Sequence, residues 1–153
     1  MSRGMKRIST DVLIAGGGVA GLTAAAAFGT AGFRVVIIDP APPVTTSDAA
    51  GSDLRTTAFL QPAQQFLLDA GLWDKLAPFA TPLQVMRIVD AGTDRHVIRD
   101  FNAADISDKP FGWNLPNWLL RREMVSRIAE LPNVDFRPGV GFDRMLARDA
   151  EAI

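Results

Sequence analysis

The sequence predicts an α/β fold, because two short apolar segments flank a glycine-rich turn and an alanine-rich segment. Residues 11–15 (Asp-Val-Leu-Ile-Ala) and 34–38 (Arg-Val-Val-Ile-Ile) are rich in β-forming residues, as are strands buried on both faces of a parallel sheet. Residues 19–31 are mostly small and apolar, which favours a helix packed closely on a sheet, and Gly32 is a natural end for it. Strand, turn, helix and strand in this order form a βαβ unit, which indicates a parallel sheet.

A long loop and a second helix are expected after this unit. Residues 40–53 contain three prolines and many Thr, Ser, Asp, Ala and Gly residues, a composition typical of loops. Thr56 or Thr57 is predicted to cap a helix that continues to Ala70, because apolar residues recur along this stretch at three- and four-residue spacing. Gly71 would end the helix.

A β-hairpin and an irregular connection come next. Residues 83–90 and 96–101 flank the turn-like segment 91–95 (Ala-Gly-Thr-Asp-Arg), so a hairpin is the simplest interpretation. Residues 111–116 (Phe-Gly-Trp-Asn-Leu-Pro) combine aromatic residues with glycine and proline, and we expect an irregular connection there. The hairpin would then be an insertion into the parallel α/β fold.

One more helix and a third parallel strand are predicted near the end of the chain. Asn117 is expected to cap a helix whose apolar residues follow helical spacing and which ends before Pro132. Residues 134–136 should form the third parallel strand. Residues 142–153 have the pattern of a strand followed by a turn, without a terminal cap, so we expect this part of the fold to be interrupted rather than finished.

Composition excludes several classes of function. The chain has 153 residues, 48% of them hydrophobic, and a formal net charge of -1, as an ordinary globular domain has. Basic and acidic residues are interspersed, so no surface for nucleic acid is indicated. The chain has no cysteine, which excludes disulfides and thiolate metal sites and is compatible with a cytoplasmic location. No metal site is predicted, and no apolar run is long enough to cross a membrane.

The strongest motif is G-x-G-x-x-G at Gly16, Gly18 and Gly21. In this motif the first glycine allows a tight turn, the second lets a pyrophosphate approach the backbone, and the third lets helix and sheet pack closely. Asp39 ends the second predicted strand, where a carboxylate can accept hydrogen bonds from both ribose hydroxyls of an adenosine. A ligand-free turn would explain neither the glycine spacing nor the acid. The sequence therefore predicts a Rossmann-like dinucleotide site, and the acid favours FAD or NAD over NADP.

Six further segments follow the glycine turn in a characteristic order: residues 53–58 (Asp-Leu-Arg-Thr-Thr-Ala), 60–62, 71–73, 86–91, 111–117 (Phe-Gly-Trp-Asn-Leu-Pro-Asn) and 120–121. In this order they resemble the ubiquinone-biosynthesis hydroxylases, a branch of the class A FAD-dependent monooxygenases. The resemblance extends over essentially the whole chain. It implies a three-layer FAD/NAD(P)-binding domain of Rossmann-like type, with FAD as the bound cofactor and NAD(P)H as the reductant.

The resemblance also implies an activity and site residues. Members of that family use oxygen to hydroxylate an aromatic ring, and a prenylated aromatic compound would be the substrate. The carried-over cofactor residues are Gly16, Gly18 and Gly21 at the pyrophosphate, Asp39 at the adenosine ribose, and Arg55 and Arg121 near the phosphate-ribityl region, with Arg122 as a near-equal alternative to Arg121. The catalytic residue stays unknown. Packing or solvation is the simpler interpretation for the remaining candidates, which are Gln64, Gln65, His96, Trp113 and Trp118.

Relatives of this kind are much longer, and their later FAD motifs and substrate domain are absent from residues 1–153. We therefore expect the chain to be the N-terminal part of a FAD-binding domain and to be inactive in isolation. The longer enzyme would contact a membrane only peripherally and would associate with proteins of a quinone-biosynthesis complex. Two alternatives stay open: a FAD monooxygenase acting on another aromatic compound, and a non-catalytic nucleotide-binding or interaction module.

Overall fold

The computed structural model describes residues 7–92 and 97–145. Within these ranges the chain forms eight strands and four α-helices. In chain order they are β1 (Val12–Ala15), α1 (Val19–Thr30), β2 (Val35–Asp39), β3 (Thr56–Leu60), α2 (Gln61–Asp69), α3 (Trp73–Leu76), β4 (Thr81–Leu83), β5 (Val85–Asp90), β6 (Val97–Asn102), β7 (Gly112–Pro116), α4 (Asn117–Ala129) and β8 (Val134–Pro138).

The first sheet is parallel and has the strand order β1–β2–β8. Val12 of β1 pairs with Val35 of β2, and Val35 pairs in turn with Val134 of β8. Helix α1 connects β1 to β2 and packs against α4, which precedes β8. Each parallel pair thus has a helical crossover, as parallel strands require. The predicted βαβ unit, third parallel strand and α/β class are confirmed.

The second sheet is antiparallel, has the order β3–β7–β4, and corrects two predictions. Thr56 and Thr57 do not cap a helix but begin strand β3, where β-branched side chains are favoured. The helix starts only at Gln61. The expected irregular connection is the central strand β7, paired on both sides. Gly112 permits that pairing, because a Cβ there would lie 2.3 Å from the carbonyl oxygen of Phe59.

Strands β5 and β6 form the predicted hairpin, paired from Val85 with Asn102 to Asp90 with Val97. All their side chains are exposed, on both faces of this two-stranded sheet. Residues 93–96, which include His96 and part of the predicted turn 91–95, lie outside the described residues. The predicted hairpin is therefore confirmed, and its side chains do not contribute to the main core.

The hydrophobic core lies where α1, α2, α3 and α4 meet β2 and β7. Its largest fully buried side chains are Leu22, Val35, Ile37, Leu67, Leu72, Leu76, Leu115, Leu120, Met124 and Ile128. Among the described residues, no helix combines the length and the apolar character that a membrane crossing requires. The strand expected from residue 142 is not formed over 142–145, and 146–153 lie outside the described ranges.

Candidate dinucleotide site

The glycine turn between β1 and α1 has the geometry that its three motif glycines predict. Gly16 has a φ of 121°, in the region that favours glycine, and its N–H donates to the carbonyl of Ile38 at 2.8 Å. A Cβ at Gly21 would lie 1.9 Å from the Gly16 carbonyl oxygen, so this glycine lets the helix approach the turn. A Cβ at Gly18 would meet nothing within 4 Å. The space beside Gly18 is therefore open to a ligand.

Asp39 holds the glycine turn in place from the end of β2. Its Oδ2 accepts a hydrogen bond from the Gly17 N–H at 2.6 Å, and its Oδ1 accepts one from the Ala41 N–H at 2.8 Å. A Cβ at Gly17 would lie 3.1 Å from the Asp39 Cβ, so the middle glycine of Gly-Gly-Gly also has a steric role. Sequence reasoning did not predict this contact. The carboxylate keeps acceptor capacity, because an ionised carboxylate has about four lone-pair sites.

A cavity of about 250 Å³ opens beside this turn. It is lined by Gly17, Gly18, Asp39, Ala41, Pro42, Pro43, Val44 and Arg121. Of the predicted cofactor residues, the cavity thus brings together Gly18, Asp39 and Arg121. Gly16 and Gly21 shape the turn behind it, and Arg55 is not among the lining residues. The predicted loop after β2 supplies half of the lining.

Arg121 lies in the second turn of α4 and reaches this cavity. Its side chain is 24% exposed, and its Nε is buried without a hydrogen-bond partner. The nearest acid is Asp53, whose Oδ2 lies 3.7 Å from an Arg121 terminal nitrogen, beyond hydrogen-bond distance. A buried donor without a partner is costly, so Arg121 is suited to an anionic ligand in the cavity.

The neighbouring Arg122 has a different environment. Its guanidinium lies 5.2 Å from the ring centre of Phe79 and 5.4 Å from that of Trp118, and its Nε donates to Glu123 at 2.7 Å. These cation–π contacts and the ion pair occupy the Arg122 side chain away from the cavity. The structure therefore distinguishes the two arginines that the sequence left nearly equal.

Arg55 is paired with Asp53 rather than placed at the cavity. Its Nε and one terminal nitrogen each donate to the Asp53 carboxylate at 2.8 Å, and its side chain is 82% exposed. Hydrogen bonds from Arg55 and then from Asn117 hold the pKa of Asp53 well below its usual range. Sequence reasoning included Asp53 in the family-like segment 53–58 but missed this ion pair, although a spacing of two residues before Arg55 is a usable signal for it.

Asn117 is buried and does not cap α4, which corrects a further prediction. It is the first helical residue, after Pro116, and its side chain points to the loop and β3. Its Nδ2 donates to Asp53 at 3.0 Å, and its Oδ1 accepts from the Thr57 hydroxyl at 2.6 Å. A buried amide satisfied at both ends fixes the start of α4 against the segment that contains Asp53.

Three of the remaining sequence candidates, Trp113, Trp118 and Gln65, make packing contacts or hydrogen bonds within the fold. Trp113 packs edge-on against Trp73 with ring centres 5.2 Å apart, and Trp118 lies under Arg122. The Gln65 amide donates to Asp69 one helical turn away. Over residues 7–92 and 97–145, no cluster of acids or histidines could hold a metal ion. The aromatic residues thus belong to the packing of the fold.

The donor set of the cavity fits a dinucleotide such as FAD. The first N–H groups of an α-helix have no intrahelical acceptor, and those of α1 begin beside the open space at Gly18. Arg121 adds a buried unpaired donor, and Asp39 adds an acceptor at the end of β2. Phosphate groups suit the donors, and sugar hydroxyls suit the carboxylate.

Comparison with curated proteins identifies relatives over most of the chain. A ubiquinone hydroxylase, UbiL of Rhodospirillum rubrum, is 37% identical over 122 residues, which are 80% of this chain and 28% of that protein. A second, UbiM of Neisseria meningitidis, is 24% identical over 148 residues, which are 95% of this chain and 32% of that protein. The chain therefore spans about a third of the length of these relatives.

Solved structures share the fold. Pseudomonas aeruginosa PqsL in complex with 2-aminobenzoylacetate superimposes with a TM-score of 0.72 at 22% identity, covering 94% of this chain and 36% of PqsL. The p-nitrophenol 4-monooxygenase PnpA of Pseudomonas putida gives 0.68 at 26% identity, covering 87% and 32%. The family described as "FAD binding domain" matches residues 9–151. The chain therefore belongs to the FAD binding domain family, and it is similar to two ubiquinone hydroxylases over most of its length.

Proposed function

We propose that residues 1–153 are the N-terminal, FAD-binding part of an NAD(P)H- and oxygen-dependent aromatic-ring hydroxylase of ubiquinone biosynthesis. The observation that carries this proposal is the cavity in which Gly18, Asp39 and the unpaired Nε of Arg121 converge. The relatedness to two ubiquinone hydroxylases supports the substrate class. The catalytic residue is not assigned.

In this proposal each site residue has one task. The turn formed by Gly16, Gly18 and Gly21 receives the pyrophosphate at the start of α1, where N–H groups and the helix dipole favour negative charge. Asp39 accepts hydrogen bonds from the adenosine ribose with the lone pairs that Gly17 and Ala41 leave free. Arg121 donates to a phosphate oxygen.

For Arg55 we propose a different role from the one that the resemblance implies. Because it is exposed and bound to Asp53, we assign it a supporting place beside Arg121 rather than direct contact with the phosphates.

Bound FAD supplies the redox chemistry, since it accepts reducing equivalents from NAD(P)H and activates oxygen. The chain's own residues bind and orient the adenosine and pyrophosphate half of that cofactor. Shielding the flavin ring from water, which hydroxylation requires, falls to the rest of the longer enzyme. We therefore assign the activity to that enzyme and expect none from residues 1–153 alone. A cytoplasmic location, peripheral membrane contact and partner proteins of quinone biosynthesis belong to the same proposal.

The test uses the full-length protein that contains this chain, with the 153-residue chain beside it. Both are incubated with FAD, oxygen, NADH or NADPH, and a prenylated phenol, and the product is measured by mass spectrometry. We expect the full-length protein to produce hydroxylated prenylphenol and the 153-residue chain to produce none. The same assay is repeated with a phenol that has no prenyl tail, because one structural neighbour is a p-nitrophenol 4-monooxygenase.

Three other outcomes would overturn parts of the proposal. Turnover of the simple phenol only would remove the ubiquinone assignment. Nucleotide binding without NAD(P)H oxidation would indicate a non-catalytic binding module. Coupled hydroxylation by the 153-residue chain would refute the proposal that the rest of the longer enzyme is required for activity.

A further inference from the structure

Asp53 lies between two guanidinium groups near the proposed FAD cavity. Arg55 donates to both of its carboxylate oxygens, at 2.8 Å each, and its backbone N–H also donates, at 3.2 Å. On the other side, a terminal nitrogen of Arg121 lies 3.7 Å from Oδ2. The trio carries a net charge of one positive unit. Asp53 is only 12% exposed, so its attraction for Arg121 is less screened than that of a surface pair.

The Asp53 carboxylate is itself fixed by side chains from two other elements. Asn117 at the start of α4 donates to Oδ2, and Thr57 in β3 donates to Asn117. The carboxylate can only accept, so it orients the Asn117 amide with its nitrogen toward Asp53 and its oxygen toward Thr57. The backbone N–H of Asn117 donates to the Arg55 carbonyl at 2.9 Å. Asp53 therefore occupies a defined position between the loop, β3 and α4.

The distance between Asp53 and Arg121 leaves the guanidinium available to a ligand. At 3.7 Å the two groups attract each other without a hydrogen bond, and the Arg121 Nε has no other partner. An arginine side chain has many rotamers, and fixing it on ligand binding costs conformational entropy. A nearby fixed carboxylate favours the rotamers that face the cavity before the ligand arrives, which reduces that cost.

We propose that Asp53, held by Asn117 and Thr57, is a positioning residue that presents Arg121 to the dinucleotide. This inference rests on the proposed function, because it takes the cavity ligand to be FAD. Asp53 itself accepts hydrogen bonds only and would repel a phosphate at contact distance. It therefore acts through Arg121 rather than on the cofactor.

A double-mutant cycle on the full-length protein tests this role, with FAD affinity measured by quenching of flavin fluorescence. Asp53→Asn keeps the shape but turns a donor toward Arg121 or Asn117. We expect this substitution to weaken FAD binding about tenfold, and Arg121→Gln to weaken it at least as much. In the Arg121→Gln background, Asp53→Asn should add no more than about a twofold change, because the residue through which it acts is gone.

Asp11→Asn is the matched control. Asp11 receives the same three donations from Arg34, from the backbone N–H and two guanidinium nitrogens, but it precedes β1 at the end opposite the glycine turn. It should leave FAD affinity unchanged. If Asp53→Asn unfolds the protein, Asp53→Glu, which displaces the carboxylate by one methylene group, enters the same cycle with the same expectation.

The outcomes separate the inference from the proposed function. Equal losses from Asp53→Asn in both backgrounds, or no loss in either, would overturn the positioning role while the FAD site stands. A wild-type protein that does not bind FAD, or an Arg121→Gln variant with full affinity, would overturn the site assignment and the positioning role with it.

Discussion

Gly21 and Gly18 belong to one motif, yet the structure predicts opposite consequences for the same substitution. In Gly21→Ala, the new Cβ would lie 1.9 Å from the Gly16 carbonyl oxygen and 3.0 Å from its carbonyl carbon. These are backbone atoms, so no side-chain rotation relieves the contact. Overpacking costs about 1–3 kcal/mol, and a backbone obstacle places this case at about 3. Because alanine has a higher helix propensity than glycine, the substitution also stabilises the helix by about 1 kcal/mol. We therefore expect a net loss of about 2 kcal/mol, or about 4–8 °C in Tm for a domain of this size.

In Gly18→Ala the Cβ meets no atom within 4 Å, and the φ of -75° suits any residue. We expect its Tm to stay near that of the wild type, while FAD affinity falls because the Cβ occupies the space proposed for the pyrophosphate. Thermal unfolding by circular dichroism without ligand, followed by FAD titration of each folded variant, separates the two effects. A Gly21→Ala protein with the wild-type Tm would refute the packing argument, and a Gly18→Ala protein with full FAD affinity would refute the ligand placement.

Three more predictions use other parts of the site and fold. Asp39→Ala should weaken FAD binding by about 1.5–3 kcal/mol, because the ribose loses its proposed acceptor. The substitution should also loosen the glycine turn, because the Gly17 N–H loses its acceptor. Equal titration curves for variant and wild type would contradict the ribose assignment. Arg122→Gln should leave FAD affinity within about twofold of the wild type, because this guanidinium packs on Phe79 and Trp118. A tenfold loss of affinity would show that Arg122, and not Arg121, binds the phosphate. Arg34 lowers the pKa of Asp11 to about 2, so the pair's contribution to stability is complete above the unfolded pKa of about 3.9 and is lost as pH falls toward 2. Asp11→Asn should therefore flatten the acid side of the Tm–pH curve, and an unchanged curve would contradict this.

The parallel half of the fold could be predicted because its signals are local and agree with one another. β1, β2 and β8 are short apolar or β-rich segments, and the turn after β1 requires glycine at Gly16, because of its positive φ, and at Gly21, because of its close approach to the Gly16 carbonyl. Residues 12–39 therefore contain both the pattern that predicts the βαβ unit and the motif that predicts the dinucleotide.

The antiparallel half was harder because its pairing is not local. Thr56–Leu60 has spacing compatible with a helix, and it becomes a strand only because Gly112–Pro116, about fifty residues later, pairs with it. No periodicity within either segment contains that information. Asn117 has the residue type of a cap, but its burial beside Asp53 and Thr57 is a tertiary property.

The same limit applied to the arginines of the site. Arg121 and Arg122 are adjacent and chemically identical, so only the rotation of α4 decides which one reaches the cavity. Arg55 was assigned by resemblance, and the structure adds the partner that binds it, Asp53. Which guanidinium has a donor without a hydrogen-bond partner and which is already hydrogen-bonded to an acid depends on three-dimensional proximity, of which sequence spacing is only a weak indication.

The most direct test of the site is an NMR titration of the isotope-labelled 153-residue chain with FAD, since weak binding is measurable by chemical shift. We predict that the backbone N–H of Gly18 and the Nε–H of Arg121 shift together along one saturable curve. The Nε–H of Arg122 should not follow that curve. Saturable shifts confined to other surfaces, or shifts of Arg122 without Arg121, would contradict the assignment of the cavity to FAD.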